Sequence, residues 1–304
     1  MIYHVYANRS NIGDWLSAKG IQSLLAPLEV VECLCDKPFV GRTMRLLSGA
    51  TPSDLIIIGG GGLLMDYFEP FWRRFGSVSR KVPFCIWGVG VCDFKTGKSL
   101  INKSLIEKIV KESRLCVVRD YLTFEYLSAC DIPEPVPCPS VCVIRPPAVL
   151  GRDLLHVVNY TTVGVRGYEA MCALARDFAG KTGCVYRETN NRITKDSETE
   201  LAQVMVKYEK SNLVLSSGLH GCVIGAAMGL KVLAVSGDRK IDAFMRTVGL
   251  RDWVVNPDEI EFICERLQDL ERQVNPGAAI KEIRVKNQAV ANQIKEIAAQ
   301  ARLN

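Results

Sequence analysis

The 304-residue sequence is short of several things. It holds three histidines, His4, His156 and His220, and its twelve cysteines include no C-x-x-C pair. The closest pair, Cys33 and Cys35, is too isolated to read as zinc-ligand spacing. No metal is therefore expected. No apolar run approaches the ~20 residues that span a bilayer. The opening residues MIYHVYANRSN lack a basic segment followed by a long apolar core, so no signal peptide is read there. These absences predict a soluble, cytoplasmic chain whose thiols are reduced and mostly buried as small hydrophobes. Cys85, Cys116, Cys142 and Cys184, each in an apolar strand-like run, fit that expectation. The excess of one sign of charge is small too. A net charge of +5 does not argue for a nucleic-acid partner, though it suits an anionic small molecule.

What is present reads as an ordinary globular chain, 48% hydrophobic and 23% charged, long enough for two domains. Strand and helix patterns alternate through the first half. The strands are 2–7, 30–33, 54–59, 82–90 and 115–119, and helices are expected at 15–25, 100–113 and 120–129. The continuous apolar run DLIIIG suits a parallel strand buried on both faces. Six prolines between Ile132 and Asp153 then interrupt the texture, and the stretch reads as an edge strand plus a linker. Alternation resumes with strands at 154–160, 184–188, 213–217 and 231–237 and helices at 167–183, 197–211, 220–229 and from about 239 to 248. The end is helical from about 258, broken at Asn275-Pro276-Gly277. The last helix carries an apolar stripe that suits packing on the core better than a coiled coil. The prediction is two Rossmann-like, doubly wound parallel-sheet domains, residues 1–150 and 151–304, with terminal helices on the second.

In such sheets ligands gather at the carboxyl ends of the strands. Those ends hold Asn11 and Asp14 after the first strand, Gly59 to Gly62 after the third, and Arg119 and Asp120 after the fifth. In the second half they hold Ser216, Ser217, Gly218, His220 and Gly221, then Asp238, Arg239 and Lys240. Two look-alikes fail. GVGVCDFKTGKS at 88–99 has Cys92 where a phosphate loop needs glycine, and Gly59 to Gly62 do not complete G-x-G-x-x-G, since Leu64 takes the last place. The four glycines serve either a backbone that approaches a ligand or tight strand–helix packing. His220 opens a helix after a buried strand, where an imidazole pKa falls and an anion is welcome; the plainer reading is a capping or packing histidine. Arg119 is either an anion ligand or the partner of Asp120. His4 and His156 read as core.

N-x-G-D at 11–14, the strand and glycines at 56–61, V-R-D at 118–120, S-x-x-L-H-G at 216–221 and Lys240 before V-G-L at 248–250 together resemble the polysaccharide pyruvyl transferase family, in order along most of the chain. The resemblance implies a GT-B-like pair of domains, with the acceptor on the first half and the donor on the second. It implies transfer of a pyruvyl group from phosphoenolpyruvate to a sugar of a cell-surface polysaccharide or its lipid-linked or nucleotide-linked precursor, forming a ketal, with no cofactor and no metal. Association with a membrane surface would come through the acceptor. Such chemistry needs an acid/base and ligands for a phosphate and a carboxylate. His220 would be the acid/base or phosphate ligand, and Asp14 or Asp120 would take the acceptor proton. Arg119 and Lys240, with Arg239 beside it, would bind the donor. Asn11, Gly60, Gly61, Ser216, Ser217 and Gly221 would line the cleft. Two positions depart from the family's pattern. Gly218 stands where an arginine is frequent, so that either another cation, such as Arg187 or Arg239, supplies the missing charge or the donor differs, and Cys138 stands where Pro-Asp-Pro-Ala has its aspartate. A nucleotide-sugar glycosyltransferase and a non-catalytic sugar-binding relative are the competing readings.

Overall fold

The structure is a computed structural model that describes residues 1–95, 97–98, 100–195 and 197–303. Thr96 and Ser99 of the rejected phosphate-loop stretch lie outside the described residues. The first half runs β1 (Ile2–Tyr6), α1 (Ile12–Leu25), β2 (Val30–Leu34), α2 (Val40–Ser48), β3 (Leu55–Leu64), α3 (Glu69–Phe75) and β4 (Phe84–Val91). A short hairpin of β5 (Asp93–Phe94) and β6 (Gly97–Lys98) follows, then α4 (Lys103–Glu112), β7 (Leu115–Val118) and α5 (Tyr121–Tyr126). The second half runs β8 (Asp153–Val157), α6 (Tyr160–Thr182), β9 (Tyr186–Thr189), α7 (Glu198–Glu209), β10 (Ser211–Ser216), α8 (Leu219–Met228), β11 (Lys231–Val235), α9 (Arg239–Thr247), β12 (Val254–Val255), α10 (Ile263–Asp269) and α11 (Gly277–Leu303).

Both sheets are five-stranded and parallel, in the orders β2-β1-β3-β4-β7 and β9-β8-β10-β11-β12. The two orders are the same winding repeated. Each reverses direction beside its first strand, between β1 and β3 and between β8 and β10, which opens a crevice at the strands' carboxyl ends. The apolar strands explain the burial: β4 is buried at every position and β3 at all but Gly62.

Three expectations are corrected. The glycines do not follow the third strand; β3 runs through all four, with Gly60 and Gly61 at φ of 83° and 95°. The proline-rich stretch forms no edge strand. It makes one ladder-like bond, Val136 N–H to the Val118 carbonyl, and a single turn at Pro139–Cys142, because its prolines lack donors. It is also no exposed linker: residues 136 to 141 are buried, with Cys138, Val141 and Ile144 in the core shared by the two halves. Finally, α6 starts at Tyr160, seven residues before the expected start, because Gly164 (φ 68°, ψ 175°) breaks the helix without ending it.

The last helix returns to the first half. Val290, Ala291, Ile294 and Ala298 pack with Ile2, Ile57, Cys85 and Trp87. Asn287 ties it down, accepting from Trp87 Nε1 at 3.2 Å and donating to the Pro137 carbonyl at 3.0 Å.

Candidate active site

The crevices of the two sheets face each other across one cleft of about 800 Å³. Asn11 caps α1 by accepting from Gly13 N–H at 3.1 Å, and the next turn points Asp14 into the cleft. The two halves are stitched at this mouth. Ile12 N–H donates to the Asn191 carbonyl at 3.1 Å, and Ile193 N–H to the Ser10 carbonyl at 2.9 Å.

Asp14 is 8% exposed. Burial pushes its carboxyl up to about 6, opposed by the positive Arg119, Arg192 and Lys240. Arg119 is 5% exposed and lies across β4, where Gly90 leaves room for it: a Cβ there would sit 2.2 Å from Arg119 Nε. Its guanidinium bonds Asp120 Oδ2 and the Val91 carbonyl, each at 3.2 Å. Lys240 enters from the other half, in the first turn of α9. Its ammonium pairs with Asp238 at 2.6 Å and lies 3.2 Å from Cys92 Sγ. Burial pulls its pKa down, but Cys92 and Asp238 hold it above the ordinary lysine value.

His220 sits in the first turn of α8, with Gly218 as N-cap. Its ring rests on the bare Cα of Gly13, across the cleft: a Cβ at residue 13 would come within 2.0 Å of Nδ1. The N-x-G-D glycine and the L-H-G histidine are thus two halves of one contact. His220 Nε2 lies 3.8 Å from Cys138 Sγ, so the cysteine at the position where the resemblance implies an aspartate faces the imidazole. Burial, then Arg119 and Lys240, lower the His220 pKa to about 3, and the ring is neutral near pH 7.

The cleft therefore brings together Asn11, Asp14, Arg119, His220, Gly221 and Lys240. The other expected residues do not line it. Asp120 caps α5, taking Thr123 N–H at 2.8 Å and Thr123 Oγ1 at 2.6 Å on one oxygen and Arg119 on the other. Gly60 and Gly61 press against α1, where a Cβ would meet Ser17 Oγ at 2.7 Å and Asp14 Oδ1 at 2.4 Å. Of the quartet, Gly62 lines the cleft. Ser216 and Ser217 are fully buried. Ser216 Oγ bonds both backbone groups of Gly218, and Ser217 Oγ accepts from Asn159 N–H at 2.8 Å. Arg239 pairs with Asp93 at 2.7 Å and faces a smaller pocket of about 430 Å³. Arg187 pairs with Asp153 and does not reach the cleft either.

Sequence reasoning missed Arg192, Cys92 and the loops around Asn159 and Asn191. Arg192 is the third cleft cation. Asn190-Asn191-Arg192 follows the expected strand 184–188 after one residue, so reading that strand's carboxyl end like the others would have found it.

Among the described residues no helix is long and apolar enough to cross a membrane. The paired crevices of two parallel-sheet domains define a GT-B-like architecture. The chain matches the polysaccharide pyruvyl transferase family over residues 4–239 and belongs to it. No curated protein matches the chain. Similar solved structures include UDP-GlcNAc 2-epimerase from Neisseria meningitidis bound to UDP-GlcNAc (12% identity, TM-score 0.57, 93% of this chain and 98% of that one). S. aureus MnaA with UDP is comparable (10%, 0.57, 93% and 94%). A functionally uncharacterised protein from Klebsiella pneumoniae is also similar (14%, 0.50, 84% and 91%). At such identities the likeness is one of fold.

Proposed function

We propose that this chain transfers the pyruvyl group of phosphoenolpyruvate to a saccharide diol, forming a cyclic ketal. The observation that carries the reading is the convergence of Asp14 and His220 with Arg119, Lys240 and Arg192 on one cleft of a family member. The donor's phosphate and carboxylate lie against Lys240, Arg119 and Arg192, close to the α8 N-terminus. In the reaction a proton reaches the donor's methylene carbon, and one acceptor hydroxyl adds to the adjacent carbon. A second hydroxyl then displaces phosphate from that carbon and closes the ring, its proton restoring Asp14, while His220 passes the proton it took to the leaving phosphate. Asp14, with a pKa near 6 that the donor's negative charge raises further, carries the proton to the methylene. Neutral His220 takes the proton of the attacking hydroxyl. Asp120 has no part in proton transfer, since both of its oxygens are engaged. The acceptor lies toward the first half, where Tyr67 offers a partly exposed ring, and is a nucleotide-linked or lipid-linked saccharide of the cell envelope.

The test is product analysis of the purified chain with phosphoenolpyruvate and a panel of saccharide acceptors. Phosphate release that needs both substrates, a product heavier by one pyruvyl ketal, and loss of both in His220→Ala are expected. Phosphoenolpyruvate at ~100 times its dissociation constant should also stabilise the fold by about 2.7 kcal/mol. Release of a nucleotide from a nucleotide sugar, with phosphoenolpyruvate inert, would overturn the reading in favour of glycosyl transfer.

A further inference from the structure

Away from the cleft, the second sheet gathers a different set of groups under α6. His156 on β8 pairs in register with Glu188 on β9, so both side chains stand on the same face of the sheet. Tyr186, two residues before Glu188, shares that face. Cys172 and Tyr168, four residues apart on α6, meet them from above. His156 is fully buried and Cys172 is 6% exposed, while Glu188 lies at the edge and gives a way in.

The donor atoms are close. His156 Nδ1 lies 3.8 Å from Cys172 Sγ, and Sγ lies 3.4 Å from Glu188 Oε2. The Tyr186 hydroxyl oxygen stands at a fourth corner, 2.9 Å from Nδ1, 3.5 Å from Sγ and 2.8 Å from Oε2. The His, Cys and Glu ligand atoms all lie within 4.8 Å of one another. A tetrahedral zinc ion with ordinary Zn–N, Zn–S and Zn–O lengths needs ligand-to-ligand edges of about 3.3–3.6 Å, and these separations bracket that range. His156 Nε2 has no partner among the described residues, so what orients the ring acts through Nδ1. Charge agrees as well: a divalent cation with one thiolate and one carboxylate makes a neutral centre, which suits a buried place.

We propose that His156, Cys172 and Glu188, with the Tyr186 oxygen, form a binding site for one divalent ion of the zinc class. The nitrogen, sulfur and oxygen set suits zinc over magnesium or calcium. Binding takes one proton from the Cys172 thiol and changes no oxidation state. The ion joins β8, β9 and α6, and each ligand-bearing strand runs straight into the cleft wall. His156 is followed by Val157 to Thr161, and Glu188 by Asn190 to Arg192. The site is structural and fixes the donor-side loops; it does not rest on the proposed reaction.

The experiment uses the full chain, stripped with chelator, and Zn²⁺ or Co²⁺ alone. One ion per chain is expected, with a raised melting temperature and a cobalt–thiolate charge-transfer band. Cys172→Ser should remove the band, and Glu188→Gln should weaken binding at least tenfold. Cys264→Ser, outside the cluster, should leave both unchanged. A hydrogen-bonded cluster without a metal role would behave differently. No thiolate band in the wild type, or equal zinc affinity in wild type and Cys172→Ser, overturns the proposal. Because the band is read on the wild type, a variant that fails to fold does not protect it.

Discussion

On the first-half wall of the cleft, β3 carries four consecutive glycines and β4 two more, whereas on the second-half wall the matching strand β10 ends at Ser216, with Ser217 just beyond it. The topology is the same and the materials differ. On the first wall bare backbone lets titratable groups lie where a side chain would be: Asp14 over Gly61, Arg119 over Gly90, and His220 of the opposite half over Gly13. On the second wall hydroxyls hold the loops. Ser216 braces Gly218, Ser217 braces Asn159, and Thr162 Oγ1 donates to the Ser217 carbonyl at 2.7 Å. A glycine near an active site therefore has to be judged by what its absent Cβ would strike. Gly61 and Gly13 have no room for a Cβ, while one at Gly218 would find its nearest neighbour 3.6 Å away, an ordinary contact.

The strongest test of that contrast is Gly13→Ala. A methyl within 2.0 Å of the imidazole displaces His220 without deleting it. Turnover should fall by about 10²–10⁴-fold, as for loss of a general acid or base, with the fold retained by circular dichroism. Wild-type turnover would show that the ring's seat on Gly13 does not matter. Next comes stability. Gly61→Ala combines a φ of 95° with a 2.4 Å approach to Asp14 and should cost about 3 kcal/mol in urea unfolding. Gly218→Ala, with φ of −120°, should stay within about 1 kcal/mol, the usual size of an N-cap effect. Equal costs would erase the difference between the walls.

The sequence showed the fold well and the site in part. Unbroken apolar strands between amphipathic helices predict parallel sheets, and strand-end residues at 11–14, 119 and 218–221 mark the crevices, because these signals are local. The role of the glycine quartet was not legible. Whether Gly60 meets a ligand or Ser17 depends on where α1 lands. The buried proline-rich stretch was hidden for the same reason. Its prolines exclude a strand, but its burial comes from α1, α8 and α11 closing around it, distant segments whose meeting no local pattern records. Asp120 looked catalytic because a carboxylate after a strand suits a site as well as it suits a helix cap.

Asp14 gives a smaller effect with a pH signature. Its folded pKa, about 6, is raised above the ordinary 3.8, so between those values the folded state holds the extra proton and stability from this group falls as pH rises. Asp14→Asn removes that penalty. The variant should be more stable than wild type by up to about 3 kcal/mol at pH 7, with the gap closing toward pH 4. His220, lowered to about 3, has the opposite slope, losing stability as pH falls below its unfolded value of 6.5. A stability gap independent of pH would mean that Asp14 is not held in the state described.

The smallest expected effect tests the departure at residue 138. Cys138 Sγ lies 3.8 Å from His220 Nε2, 3.5 Å from Ser17 Oγ and 3.1 Å from Ser140 Oγ. In Cys138→Asp the two serine hydroxyls would hydrogen-bond a carboxylate and hold it ionised beside the ring. An opposite charge at that range raises an imidazole pKa by about 1–3 units. NMR titration should find the His220 transition moved up from about 3 by at least about one unit. The acidic limb of turnover should move with it, since in the proposed reaction His220 must be neutral to accept the hydroxyl proton. An unmoved titration would mean that the two residues do not face each other, and the absence of the family aspartate would then have no bearing on how this cleft handles protons.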